Sequence, residues 1–98
     1  MIEIKSLPIY DKWFFDQTRE VQAVIVSNLN RVKAGNTSNC ESKRDGISEI
    51  KIHFGKGVRV YYIAETKTLF RLIWGGSDKK RQTADIEKAI KIKKAIRR

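Results

Sequence analysis

The stretch "EIKIHFGKGVRVYY", Glu49 to Tyr62, decides how the rest of the chain is read. Ile50, Ile52 and Phe54 alternate with Glu49, Lys51 and His53. After "GKG", Gly55 to Gly57, Val58, Val60 and Tyr62 alternate with Arg59, Tyr61 and Ile63. Period-two alternation is the pattern of a half-buried strand, and a short glycine-containing connection between two such runs makes a hairpin. The expected strands are 47–54 and 58–64. One face is apolar. The other carries Glu49, Lys51, His53, Arg59 and Tyr61, which is not how a face meant only for burial is written.

Downstream, Leu69 to Trp74 reads as a third strand after the turn "ETKT". Phe70, Leu72 and Trp74 are expected on the apolar face, and Leu69, Arg71 and Ile73 on the other. "GGSD", 75–78, is expected to break that strand before a last helix from about Arg81 to the chain end. Upstream, Ile2 and Ile4 suggest a short strand. Pro8 suits the first turn of a helix through Tyr10, Trp13 and Phe14. Val21, Val24, Ile25, Leu29 and Val32 make one stripe of a helix over 19–34, with Gly35 as its stop. Residues 36–46, "NTSNCESKRDG", read as a polar loop.

The expected order is β, α, α, β, β, β, α, with the three consecutive strands an antiparallel meander. The class is α+β, with the two N-terminal helices over Ile50, Ile52, Val58, Val60, Leu72 and Trp74. Trp13 and Trp74 are both expected in the core.

A chain of 98 residues is expected to form one domain, 1–98. It carries 21 Lys and Arg against 11 Asp and Glu, a formal charge of +10. Such a body attracts polyanions: RNA, DNA, an acidic protein or an anionic surface. No apolar run approaches the roughly 18 residues of a membrane span, and the N-terminus lacks a secretory pattern. Cys40 has no partner for a disulfide, which fits a reduced, cytoplasmic setting. One His and one Cys cannot supply the usual metal-ligand set, so no metal is expected. "GKG" lies between strands and is no nucleotide cradle.

Directly opposed side chains on neighbouring antiparallel strands stand about 4.5–5.5 Å apart. Lys51, His53, Arg59, Tyr61 and Arg71 are therefore expected to crowd into one patch. Cations held that close repel each other unless an anion lies across them. A phosphodiester backbone fits, with Tyr61 free to stack on a base. The plainer alternative is an ordinary solvated sheet face. From Lys79 to Arg98 there are nine Lys and Arg and two acids. Ile86, Ala89, Ile90 and Ile96 give that segment an apolar arc. It is either a helix docked on the domain with a positive rim or a solvated tail.

Longer runs carry a resemblance. Gly46, Ser48 and Glu49, then "HFGKGVRVYY", Gly75-Gly76, and Lys79, Gln82, Asp85 and Ile86, with Trp13 and "AGN" at 34–36, resemble the RelE/ParE superfamily of type II toxins. The similarity is greatest to its addiction-module killer branch, related to HigB. Ser77 is an extra residue relative to that pattern, so Lys79 and Lys80 compete for one family position.

The resemblance implies a RelE-like antiparallel sheet and a toxin held by a cognate antitoxin, usually a helix-turn-helix protein. It also implies metal-independent cleavage of mRNA on the ribosome, with no cofactor. Attack by the 2′-hydroxyl needs a base, cations for the phosphorane and an acid for the leaving oxygen. Arg59 would stabilise the transition state from a solvent-facing position. Lys51 and His53 would activate the nucleophile or hold phosphate, and Lys80 or Lys79 would bind the backbone. Tyr61 and Gln82, with Arg71 from the sheet-face patch and Arg81 from the basic C-terminal segment, complete the expected RNA-binding set. Two other functions stay open: a gyrase-poisoning toxin of the ParE kind, and an RNA-binding module without catalysis.

Overall fold

The computed structural model describes residues 1–96. Its elements are β1 (Glu3–Ser6), α1 (Pro8–Phe15), α2 (Arg19–Lys33), β2 (Cys40–Arg44), β3 (Ile47–Ile52), β4 (Val58–Thr66), β5 (Leu69–Gly76), a 3₁₀ turn (Lys79–Arg81) and α3 (Gln82–Ile96). Positions 97 and 98 of the expected last helix lie outside the described residues.

The strands form one sheet in the order β1-β5-β4-β3-β2. The expected meander is its centre, β3-β4-β5, antiparallel throughout. The N-terminal strand adds to β5 in parallel, so the sheet is mixed.

The segment expected to be a loop contains a strand instead. β2 pairs antiparallel with β3 through a turn at Asp45 and Gly46, both at positive φ (53° and 79°). Two central residues with positive φ define the tight hairpin turn whose twist matches its strands, and Asp-Gly is a preferred pair there. The polar composition of "CESKR" hides the strand because β2 is an edge with little to bury.

Two apolar layers cover the sheet. On one side Tyr10, Ile25 and Val32 from α1 and α2 pack on Ile50, Ile52, Val58, Val60, Tyr62, Phe70 and Leu72. Thr18 starts α2 by accepting the Val21 amide on its hydroxyl at 3.2 Å. On the other side α3 lays Ala89, Ile90 and Ile92 on Ile47, Tyr61 and Ile73. Thus the last helix docks on the supposedly polar face, while Ile96 from its expected apolar arc remains exposed.

Trp74 is on this second side as well, not with Leu72 as alternation implies. Tyr61 pairs with Trp74 but Tyr62 pairs with Leu72, leaving Ile73 as an extra residue. A bulge of one residue reverses the facing of the positions beyond it.

The double glycine does not break β5; it ends it. A Cβ at Gly75 would collide with the Trp13 ring from α1, and one at Gly76 would collide with the Asp85 carboxylate from α3. Both helical layers therefore approach the same strand end closely. Trp13 is a rigid ring, whereas a carboxylate can swing aside. Gly75→Ala is expected to cost about 1–3 kcal/mol by overpacking, and Gly76→Ala less. Urea denaturation of both variants checks the order. In W13L/G75A the loss should be smaller than the sum of the single changes, since the methyl then meets a side chain that can yield.

Candidate active site

Strand register builds the candidate site at one corner of the sheet. Lys51 on β3 lies directly opposite Arg59 on β4, which lies opposite Gly76 on β5. The next row holds Glu49, Tyr61 and Trp74. Alternation puts both rows on the α3 side.

Glu49 is fully buried and Arg59 is 5% exposed. This corrects the expectation that Arg59 faces solvent. Its Nε lies 3.3 Å from Glu49 Oε2, but that N–H is not aimed at the oxygen, so charge rather than hydrogen bonding joins them. Arg59 Nη1 donates to the Gly57 carbonyl at 3.2 Å, which bends the guanidinium back over the GKG turn. Glu49 Oε2 accepts from Gln82 Nε2 at 2.9 Å. The other oxygen has Lys43 Nζ at 3.5 Å. Lys43 reaches it because the β2–β3 register shifts between Ser42 and Arg44.

Burying a carboxylate costs several kcal/mol unless it is paired and hydrogen-bonded. Glu49 meets that need with the charges of Lys43 from β2 and Arg59 from β4 and with one hydrogen bond, from Gln82 on α3. Lys43 also bonds Glu41 at 2.8 Å, which holds the ammonium of Lys43 above its ordinary range.

Tyr61 is fully buried beneath α3, so it cannot stack on a base. Burial, reinforced by the Glu49 charge, pushes its phenol far up. Arg71 is also excluded from the patch. It lies opposite Ile63, four residues along β4 from Arg59, or about 13 Å. There it makes a bidentate bridge with Glu65. Gln82, expected to touch RNA, is half-buried and committed to Glu49.

What remains open is a rim. Lys51 and His53 line a groove of about 280 Å³ with Ser38, Asn39, Cys40 and Glu41. Lys51 Nζ is 3.9 Å from Glu41 Oε1. Lys79 is pinned over the same corner, its amide donating to the Lys56 carbonyl at 2.8 Å. Gly57 makes room for it, since a Cβ there would lie 3.1 Å from Lys79 Cβ. The Asp78 carboxylate accepts the Lys80 amide at 3.0 Å and so starts the 3₁₀ turn. Lys56, Lys79, Lys80 and Arg81 are all exposed. Asp85 sits behind them, accepting from Trp74 Nε1 at 3.4 Å. Burial raises its carboxyl against the opposing pull of Trp74 and Arg81.

The site is thus a cationic rim around a buried ion cluster, not an open plate. Sequence reasoning misses Lys43 because it misses β2; the Asp45-Gly46 pair is the signal that could find it.

No family model matches the sequence. An uncharacterized protein of Haemophilus influenzae (strain Rd) is 35% identical over 89 residues, covering 90% of this chain and 89% of that one. Among solved structures, the isolated E. coli RelE toxin superposes with a TM-score of 0.64 at 14% identity, covering 90% of this chain and 98% of that chain. A chain of the intact E. coli RelBE toxin–antitoxin complex gives 0.63 at 16% identity, covering 81% and 99%. The chain therefore belongs to one family with the Haemophilus influenzae protein, and its fold is that of RelE.

Proposed function

We propose that this protein is the toxin of a type II toxin–antitoxin system, of the addiction-module killer branch, and that it cleaves mRNA on the ribosome. The observation that carries the reading is the corner itself. Lys51 faces Arg59 in register, His53 follows on the same groove, and Lys79 is fixed above them. The RelE fold supports it, as does the RelE-like chain found within a toxin–antitoxin complex. By the same reasoning the partner is a cognate antitoxin, expected to be a helix-turn-helix protein.

In the reaction, Lys51 or His53 takes the proton of the 2′-hydroxyl. The freed oxygen bonds to the adjacent phosphorus, and the bond from phosphorus to the 5′-oxygen breaks as that oxygen takes a proton from the other of the two or from Lys80. The products are a 2′,3′-cyclic phosphate and a free 5′-hydroxyl. Lys79 and Lys80 hold the backbone, and Arg59 adds positive charge from beneath. General acid–base groups contribute about 10²–10⁴-fold each. Alanine at Lys51 or His53 should therefore slow cleavage by at least about 100-fold without loss of fold, since neither belongs to the buried core. Primer extension on a message bound to ribosomes reads this directly. A 2′-deoxy nucleotide at the cut position should abolish the product.

The burial of Arg59 against Glu49 specifically favours a second reading, RNA binding without cleavage. The same primer extension separates the two: an intact message with bound protein would leave the nuclease reading without support.

Arg59→Ala is not a clean test of catalysis. It leaves Glu49 buried with only Lys43 for charge, a loss of about 3 kcal/mol. E49Q/R59A removes both charges and should recover most of that stability in urea. Equal stability of R59A and the parent would refute the buried pair.

A further inference from the structure

A second groove adjoins the first and shares two residues with it. It has a volume of about 240 Å³ and lies where α2 meets the end of β3. Val24 and Ile52 are its apolar lining, Ser27, Asn28, Arg31 and Asn39 its polar lining, and His53 and Phe54 stand at its mouth. His53 and Asn39 also line the groove that holds Lys51.

Three features set it apart from an ordinary surface crease. Phe54 is 38% exposed although it lies in the apolar register of β3. The chain leaves the strand after Ile52, and the Phe54 amide turns back to the Ile52 carbonyl at 2.9 Å, so the ring sits at the edge and not in the core. Asn28 gives its amide N–H to the Val24 carbonyl at 2.8 Å, which fixes the side chain and leaves its oxygen as a free acceptor. The Asn39 side chain is half-buried and makes no hydrogen bond among the described residues, although its own carbonyl is anchored by the Lys51 amide at 2.9 Å. A π-face, one fixed and one unpaired amide edge, and a guanidinium around one cleft match the demands of a flat heterocycle with donors and acceptors on its rim.

We infer that this groove receives a nucleobase of single-stranded RNA, stacked on Phe54 and contacted at its edge by Asn28 and Asn39, one nucleotide removed from the phosphate held at Lys51 and His53. This rests on the proposed RNA reading but not on cleavage. A phosphate at the first groove and a base at the second follow the natural alternation of a strand. Arg31, exposed at the outer end, meets the next phosphate.

The probe is a fluorescein-labelled RNA hexanucleotide, with a ribose-phosphate hexamer abasic at every position as its control. Affinity is read by anisotropy on the full chain. Phe54→Ala and Phe54→Leu should both weaken binding of the intact strand about tenfold, and Phe54→Trp should retain it, because stacking needs a ring. On the abasic strand the variants and the parent should bind alike. Thermal melts show whether each variant is folded. Retained affinity in F54L, or an equal loss on the abasic strand, overturns the inference, since a merely structural or phosphate-contacting role would give those results. A parent that binds RNA with this pattern but leaves ribosomal mRNA intact keeps the base site and rejects the nuclease. A parent that cuts, with F54A unchanged in binding and in its pattern of cut codons, keeps the nuclease and rejects the base site.

Discussion

The carboxylate of Glu49, sealed in the interior, is the constraint around which the second half of the molecule is arranged. A buried negative charge demands neutralisation and hydrogen bonding from whatever packs against it. Arg59 from the neighbouring strand supplies charge, Gln82 from the start of α3 supplies a hydrogen bond, and Lys43 from the edge strand supplies a second cation. These contacts come from β2, β4 and α3, so the group that is hardest to bury also fixes where those elements meet. The position of α3 is a consequence. Its first residue answers Glu49, and its apolar residues then fall on Tyr61 and Ile73.

The double glycine does for packing what Glu49 does for charge. A five-stranded sheet with helices on both faces must let each layer close on it at some point. At the end of β5, Trp13 closes from one side and Asp85 from the other. A side chain at either position would hold a layer off the strand. Asp85 then bonds Trp74, which the bulge at Ile73 has turned toward α3. Without that bulge, Trp74 would compete with Trp13 for the α1 side.

The central hairpin, both N-terminal helices and the apolar layer beneath them are legible because alternation and helical spacing report burial directly. The largest failure comes from coverage: period-two reasoning assigns a face but not what covers it. Alternation places Tyr61 and Arg59 on the correct side, yet that side lies partly under α3, so a face expected to be open holds a buried phenol and a buried guanidinium. Trp74 falls on the unexpected side because a single-residue bulge leaves no trace in composition. β2 escapes because an edge strand with one exposed flank looks like a loop, and only Asp45-Gly46 marks it. Arg71 shares the face of the patch but lies too far along the strand, a distance that register shows and alternation does not.

The charges divide the labour at the corner. Glu49 and Arg59 form a buried pair of opposite charges at this corner. Its net charge is zero, so seen from a distance it attracts nothing. The long-range field that gathers a polyanion must come from residues that reach solvent, among them Lys51, Lys56, Lys79, Lys80 and Arg81, and it is weakened by salt. The buried group acts only at short range, where low dielectric strengthens each charge. There it cannot reorganise, because Arg59 is tied to the Gly57 carbonyl and Glu49 to α3. On the proposed reading, capture belongs to the solvent-facing lysines and alignment to a fixed, neutral foundation. Screening by salt should therefore erode capture long before it disturbs alignment, because the aligned charges are shielded from the ions that screen the rest.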